Sequence, residues 1–95
     1  MQSTLEKDSL DYLYKAILSL KTREECEAFL GDLCTIQELK SMSQRMLVAK
    51  MLHSKTVYSD IVSETGASTA TISRVNRCLH YGSSGYKNVL KALEG

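Results

Sequence analysis

Residues 63–80 read SETGASTATISRVNRCLH. Ile72, Val75 and Leu79 recur at the spacing that puts side chains on one face of a helix. Ser68 stands where an N-cap is needed, so the pattern predicts a helix from 69 to about 81. Gly66 can take the left-handed conformation that closes a helix, which places a shorter helix at about 57–64. Two helices joined by a short turn containing Gly have the shape of a helix-turn-helix, expected here at about 57–81.

The second helix of that pair has two faces. Opposite its apolar stripe lie Ala70, Ser73, Arg74, Arg77 and Tyr81, with Thr69, Thr71 and His80 on the flanks. Small side chains in the first turn let a backbone approach a DNA groove closely, where recognition helices place their N-terminal residues. Hydroxyls can bond bases or phosphates, and the methyl of Ala70 or Thr71 can touch a thymine. The helix N-terminus attracts phosphate, and Arg74 and Arg77 add charge one turn further along. Helical hairpins with Ser or Thr caps are also common in proteins that bind nothing. The pattern alone therefore leaves DNA binding and a solvated surface helix level.

Working outward, the other segments are helical too. Leu10, Leu13, Tyr14, Ile17 and Leu18 form an apolar stripe. Thr22-Arg-Glu-Glu25 and Thr35-Ile-Gln-Glu38 are capping boxes that start helices at 23–33 and 36–53, with Gly31 interrupting or ending the first. The helix at 36–53 carries Ile36, Leu39, Met42, Met46, Leu47, Val48, Met51 and Leu52 over much of its circumference. Such a helix needs burial on several sides, which a second copy of the chain would supply. A break at 82–84 precedes a last helix from about 85. No segment alternates as a strand does. The expected architecture is all-α, about six helices in a single domain over 1–95.

Charge sharpens the functional classes. The chain has a formal net charge of +1, with 12 Lys and Arg against 11 Asp and Glu. Residues 1–38 are acidic by four charges and 39–95 basic by five, so the C-terminal half favours an anionic partner. No apolar run is long enough for a membrane span, and MQSTLEKDSL lacks a signal-peptide pattern, so a cytoplasmic location is expected. Cys26, Cys34 and Cys78 read as reduced thiols. Cys78 and His80 are too close in sequence for a zinc pair, and no nucleophile–base signature or phosphate loop appears. No metal, cofactor or enzymatic activity is expected.

The stretches LCTIQELKSMSQRMLVAKML (33–52) and SETGASTATISRVNRCLH (63–80) resemble the Trp repressor family, in particular its YerC/YecD, Trp-repressor-related branch. The resemblance covers about 33–90. It implies an intertwined, all-helical homodimer that represses transcription through the helix-turn-helix. It also implies that Thr69, Ala70, Thr71 and Ser73 occupy base- and phosphate-contacting positions. Arg45, Arg74 and Thr35 match positions around the family's tryptophan corepressor. The chain departs from that pocket elsewhere: Val75 replaces a Gly, Cys78 a Ser, and Asp32 and Cys34 replace leucines. Tryptophan is accordingly not the expected ligand. A different small-molecule effector at Thr35, Arg45, Arg74, Val75 and Cys78 stays open, as does an arrangement in which the arginines only bond neighbouring helices. The first helix of the motif carries Tyr58, Ser59 and Val62 where the family has basic and polar groups, with Lys55 and Arg77 as compensating cations.

Together these readings predict a sequence-specific DNA-binding transcriptional regulator, a repressor acting on a near-palindromic operator as a homodimer. The expected DNA-binding set is Thr69, Ala70, Thr71, Ser73, Arg74, Arg77 and Lys55, and the partners are double-stranded DNA and a second copy. The alternative is a protein-interaction module that kept the fold without DNA binding.

Overall fold

In the computed structural model, which describes residues 4–94 apart from the side chain of Leu5, helices form where the apolar spacing and the caps place them. They are α1 (Thr4–Leu18), α2 (Arg23–Leu33), α3 (Ile36–His53), α4 (Tyr58–Thr65), α5 (Thr69–Tyr81) and α6 (Gly85–Glu94). Among the described residues there is no strand. No helix there is long and apolar enough to cross a membrane. The chain divides into two compact units, one ending at Ile36 and the other beginning at Gln37.

In the N-terminal unit, α1 stops at a turn in which the Ser19 hydroxyl donates to the Ala16 carbonyl at 2.6 Å. Thr22 then caps α2, its Oγ1 accepting from the Glu25 N–H at 3.1 Å. The Glu25 carboxylate accepts from the same hydroxyl at 3.3 Å, rather than reaching the Thr22 backbone as a full capping box would. Arg23 and Glu27 pair at 3.2 Å across one turn, fully in solvent. Gly31 neither interrupts nor ends α2. A helical Gly costs only about 1 kcal/mol relative to Ala, and the helix runs on to Leu33, where the Cys34 N–H bonds the Leu30 carbonyl at 2.9 Å. None of the side chains described in this unit is fully buried; Leu10, Leu13, Ala16, Leu20, Phe29 and Leu30 are half-buried.

The C-terminal unit holds the core. Val48 and Ala49 of α3, Ile61 of α4, Ala67 of the turn, Ile72, Val75 and Leu79 of α5, and Leu90 of α6 make one buried cluster. Met46, Met51, Leu52 and Tyr86 pack against it. Four helices thus share a single apolar centre, and each contributes the residues that its own periodicity selects.

The end of α3 has an unusual stop. The Lys55 N–H bonds the Leu52 carbonyl at 3.0 Å, and the Thr56 N–H bonds the Met51 carbonyl at 2.9 Å. These are the two bonds of a Schellman motif, in which the residue after the cap is left-handed and usually Gly. Here it is Lys55, at φ 63°. A non-Gly residue in that conformation costs on the order of 1 kcal/mol.

Candidate nucleic-acid interface

The geometry of the α4–α5 pair is set locally before it is set by packing. Gly66 closes α4 with φ 72°, its N–H bonding the Val62 carbonyl at 2.9 Å. A Cβ at Gly66 would meet nothing within 4 Å, so the constraint is the backbone angle rather than space. The Thr65 hydroxyl donates to the Ile61 carbonyl at 2.6 Å and accepts from the Ala67 N–H at 3.1 Å. From α3, the Gln44 side-chain amide donates to the Thr65 carbonyl at 3.1 Å. The turn is therefore tied to the helix beneath it, and Ala67 drops into the core. Gln44 is a positioning residue that the sequence pattern did not reveal. A bond between residues 21 positions apart leaves no local signal.

Ser68 then starts α5. Its Oγ accepts from the Thr71 N–H at 3.1 Å and donates to the Thr71 Oγ1 at 3.1 Å. This satisfies one of the N–H groups that a helix start leaves without a carbonyl partner; those of Thr69 and Ala70 are left pointing along the axis. Ile72, Val75 and Leu79 anchor the inner face of α5 in the core. The outer face follows from that anchoring: Thr69, Ala70, Ser73, Arg74 and Arg77 are all exposed. Thr71 is half-buried. Its oxygen takes the Ser68 hydroxyl, while its own proton remains available to an outside acceptor.

The electrostatics of this surface are one-sided. No Asp or Glu occurs between Thr65 and Leu93. Among the described residues, no carboxylate lies within ion-pair distance of Arg74, Arg77 or Lys55. The expected DNA-binding set therefore divides cleanly. Thr69, Ala70, Thr71, Ser73, Arg74 and Arg77 share one helix, whereas Lys55 sits on the α3–α4 turn. On α4 the exposed side chains include Tyr58 and Val62, which are not cations.

Of the positions considered for an effector, four lie in the C-terminal unit and Thr35 in the N-terminal unit. Val75 is 1% exposed and belongs to the core. Arg45 lines a shallow depression of 280 Å³ on α3 with Gln37, Glu38, Ser41 and Met42. Cys78 lines a different one, of 460 Å³, with Met46, Gly82, Ser83, Gly85, Tyr86 and Val89. Arg74 lies on the outer face of α5, and Thr35 is exposed in the N-terminal unit. Asp32 is exposed as well, so its charge stays in water. Cys26, Cys34 and Cys78 are free thiols.

Comparison with known proteins follows the same lines. A family model described as Trp repressor protein matches residues 8–94. The uncharacterized protein YerC of Bacillus subtilis (strain 168) is 55% identical over 86 residues, which is 90% of this chain and 83% of that protein. A crystal structure from Staphylococcus aureus, provisionally assigned as a Trp repressor, is similar at 47% identity and a TM-score of 0.88, covering 98% of this chain and 96% of that one. A TrpR-like protein from Eubacterium eligens ATCC 27750 superposes with a TM-score of 0.90 at 50% identity over the same shares.

Proposed function

Since the chain belongs to the Trp repressor family, we propose that it is a DNA-binding transcriptional regulator, a repressor that reads a near-palindromic operator as a homodimer. The observation that carries this reading is the outer face of α5: small and hydroxylated at its start, cationic at Arg74 and Arg77, and free of acids. Thr69, Ala70, Thr71 and Ser73 meet base edges and phosphates near the helix start, where recognition helices make such contacts. Arg74, Arg77 and Lys55 contribute counterion release.

Dimerisation is supported by what the N-terminal unit and α3 leave uncovered. Leu18 is 83% exposed and Ile36 and Tyr12 are each 76% exposed, with Leu33, Met42 and Leu47 also in solvent. Apolar surface on this scale marks an association site, and interlocking with a second copy makes one domain of residues 1–95. Tryptophan is not the proposed effector, because the side chain of Val75 occupies core volume. An effector of other chemistry at Thr35, Arg45, Arg74 and Cys78 would have to assemble those positions in the dimer. A cytoplasmic site of action and the absence of enzymatic activity go with this reading.

One observation favours a second reading. Val57, Tyr58 and Val62, on and beside α4, are apolar and exposed where a DNA-gripping helix would carry cations, as an interaction module without DNA would have it. In-vitro selection from random duplex DNA at low salt separates the two. The regulator enriches a two-fold-symmetric site whose half-site spacing reports the dimer geometry. Failure to enrich any site, together with one stoichiometric protein partner on pull-down, overturns it.

A further inference from the structure

A second cationic surface lies away from the outer face of α5, at its C-terminal end. There a groove of 390 Å³ runs between the ends of α3 and α5 and the side of α6. Leu52 and Leu79 form its floor. Lys55, His80, Lys87 and Lys91 stand around it, all exposed. Lys87 and Lys91 are one turn apart, so they project from the same side of α6. The single carboxylate on the rim, Glu94, lies 3.4 Å from His53 Nε2. Among the described residues, none of the three lysines has a carboxylate within ion-pair distance. Three lysines therefore share one groove with a single carboxylate, an excess of positive charge that attracts an anion.

Lys55 adds an independent argument. It occupies the left-handed position of the Schellman stop, where Gly would be unstrained. A residue held there against its conformational preference is a starting point for a functional hypothesis. From that position Lys55 lines the groove.

We propose that this groove is a phosphate-binding surface that takes the sugar-phosphate backbone flanking the base pairs read by α5. The inference rests on the DNA-binding reading above and extends its footprint. The distance suits it: Thr71 to Leu79 is eight residues, about 12 Å along the helix axis, more than the roughly 8.5 Å depth of the major groove. A helix whose first turn meets base edges then brings its far end to the phosphates along one wall. Lys87 and Lys91, on a different helix, extend the contact outward.

The test uses the full chain and its K87Q/K91Q variant, with unchanged helicity checked by circular dichroism. Affinity is measured across a salt series for a long duplex centred on the selected site and for the same site trimmed of its flanks. On the long duplex the variant's slope of log affinity against log salt should fall by about 0.9 for each lysine removed, and on the trimmed one it should match the parent. Lys55→Gly should raise the melting temperature while lowering the long-duplex slope, two changes that a merely structural lysine would not combine. Equal slopes for parent and K87Q/K91Q on the long duplex overturn the groove assignment and leave the regulator standing. If the parent protein binds neither duplex, both readings fall. Tripolyphosphate serves as a small probe: weaker binding to the variant with an unchanged DNA slope would assign the groove to a free polyphosphate and overturn the DNA role.

Discussion

The two units of the chain treat their apolar residues differently. In the unit from Gln37 onward, eight side chains form a closed core and four more pack against it. In the unit up to Ile36, comparable stripes on α1 and α2 leave none of the described side chains fully buried. Both stretches have helical periodicity and good caps, so the difference does not come from helix-forming power. It comes from the number of apolar faces available to each other. The α4–α5 pair, α3 and α6 present four such faces to one centre, which buries the inner face of α5 and leaves its outer side exposed. The N-terminal stripes lack enough matching surface of their own, and it is on this that the proposed dimer rests.

The comparison breaks most readily at the shared core. Ile72→Ala should destabilise the protein by about 2–5 kcal/mol, the usual range for emptying a fully buried aliphatic site, read as a lower denaturation midpoint. A midpoint unchanged from the parent would contradict the placement of Ile72 in that core. The next effect belongs to the N-terminal unit. Leu18→Glu with Ile36→Glu should weaken self-association at least about tenfold, or roughly 1.4 kcal/mol, with sedimentation shifting toward monomer. Unchanged sedimentation would mean that these faces serve another purpose.

Smaller changes sharpen the picture of α5. Ser68→Ala removes the bond to the Thr71 N–H and should cost about 1 kcal/mol, a drop in Tm of roughly 4–8 °C for a domain of this size. The smallest stability effect should come from Arg77→Ala. It should leave Tm nearly unchanged, yet reduce the salt slope of DNA binding by about 0.9 for each of the two copies in the dimer. If Tm falls and the slope stays, Arg77 is a structural residue and the outer face of α5 has been misassigned.

Much of the fold was legible in the chain because its signals are local. Thr22 and Ser68 cap α2 and α5 as their positions predict, and Gly66 supplies the left-handed stop. The inner stripe of α5 was visible as Ile72, Val75 and Leu79, and the outer face followed from it by subtraction. The resemblance to the Trp repressor family, carried by residues 33–80, then agreed with the family match over 8–94. Gly31 departs from its expected role because a glycine's helix penalty is small enough for neighbouring hydrogen bonds to override.

The groove was less legible. Lys87 and Lys91 counted toward the basic C-terminal half, but nothing in their spacing linked them to Lys55 or His80. The Schellman stop at Lys55 was hidden too, because the sequence holds no Gly there to announce it. Likewise, the five effector positions could be listed from the resemblance, but whether they share a cavity depends on side-chain directions.

By itself, then, the sequence determined where the helices begin and end, which face of α5 is apolar and where charge accumulates. Those features depend on residue type and on spacing within a few turns. Tertiary structure alone decided that Gln44 braces the turn and that cations from three segments meet at one groove. Each of these is a juxtaposition of residues far apart in the chain, created when helices pack around a common apolar centre and not encoded in any single stretch.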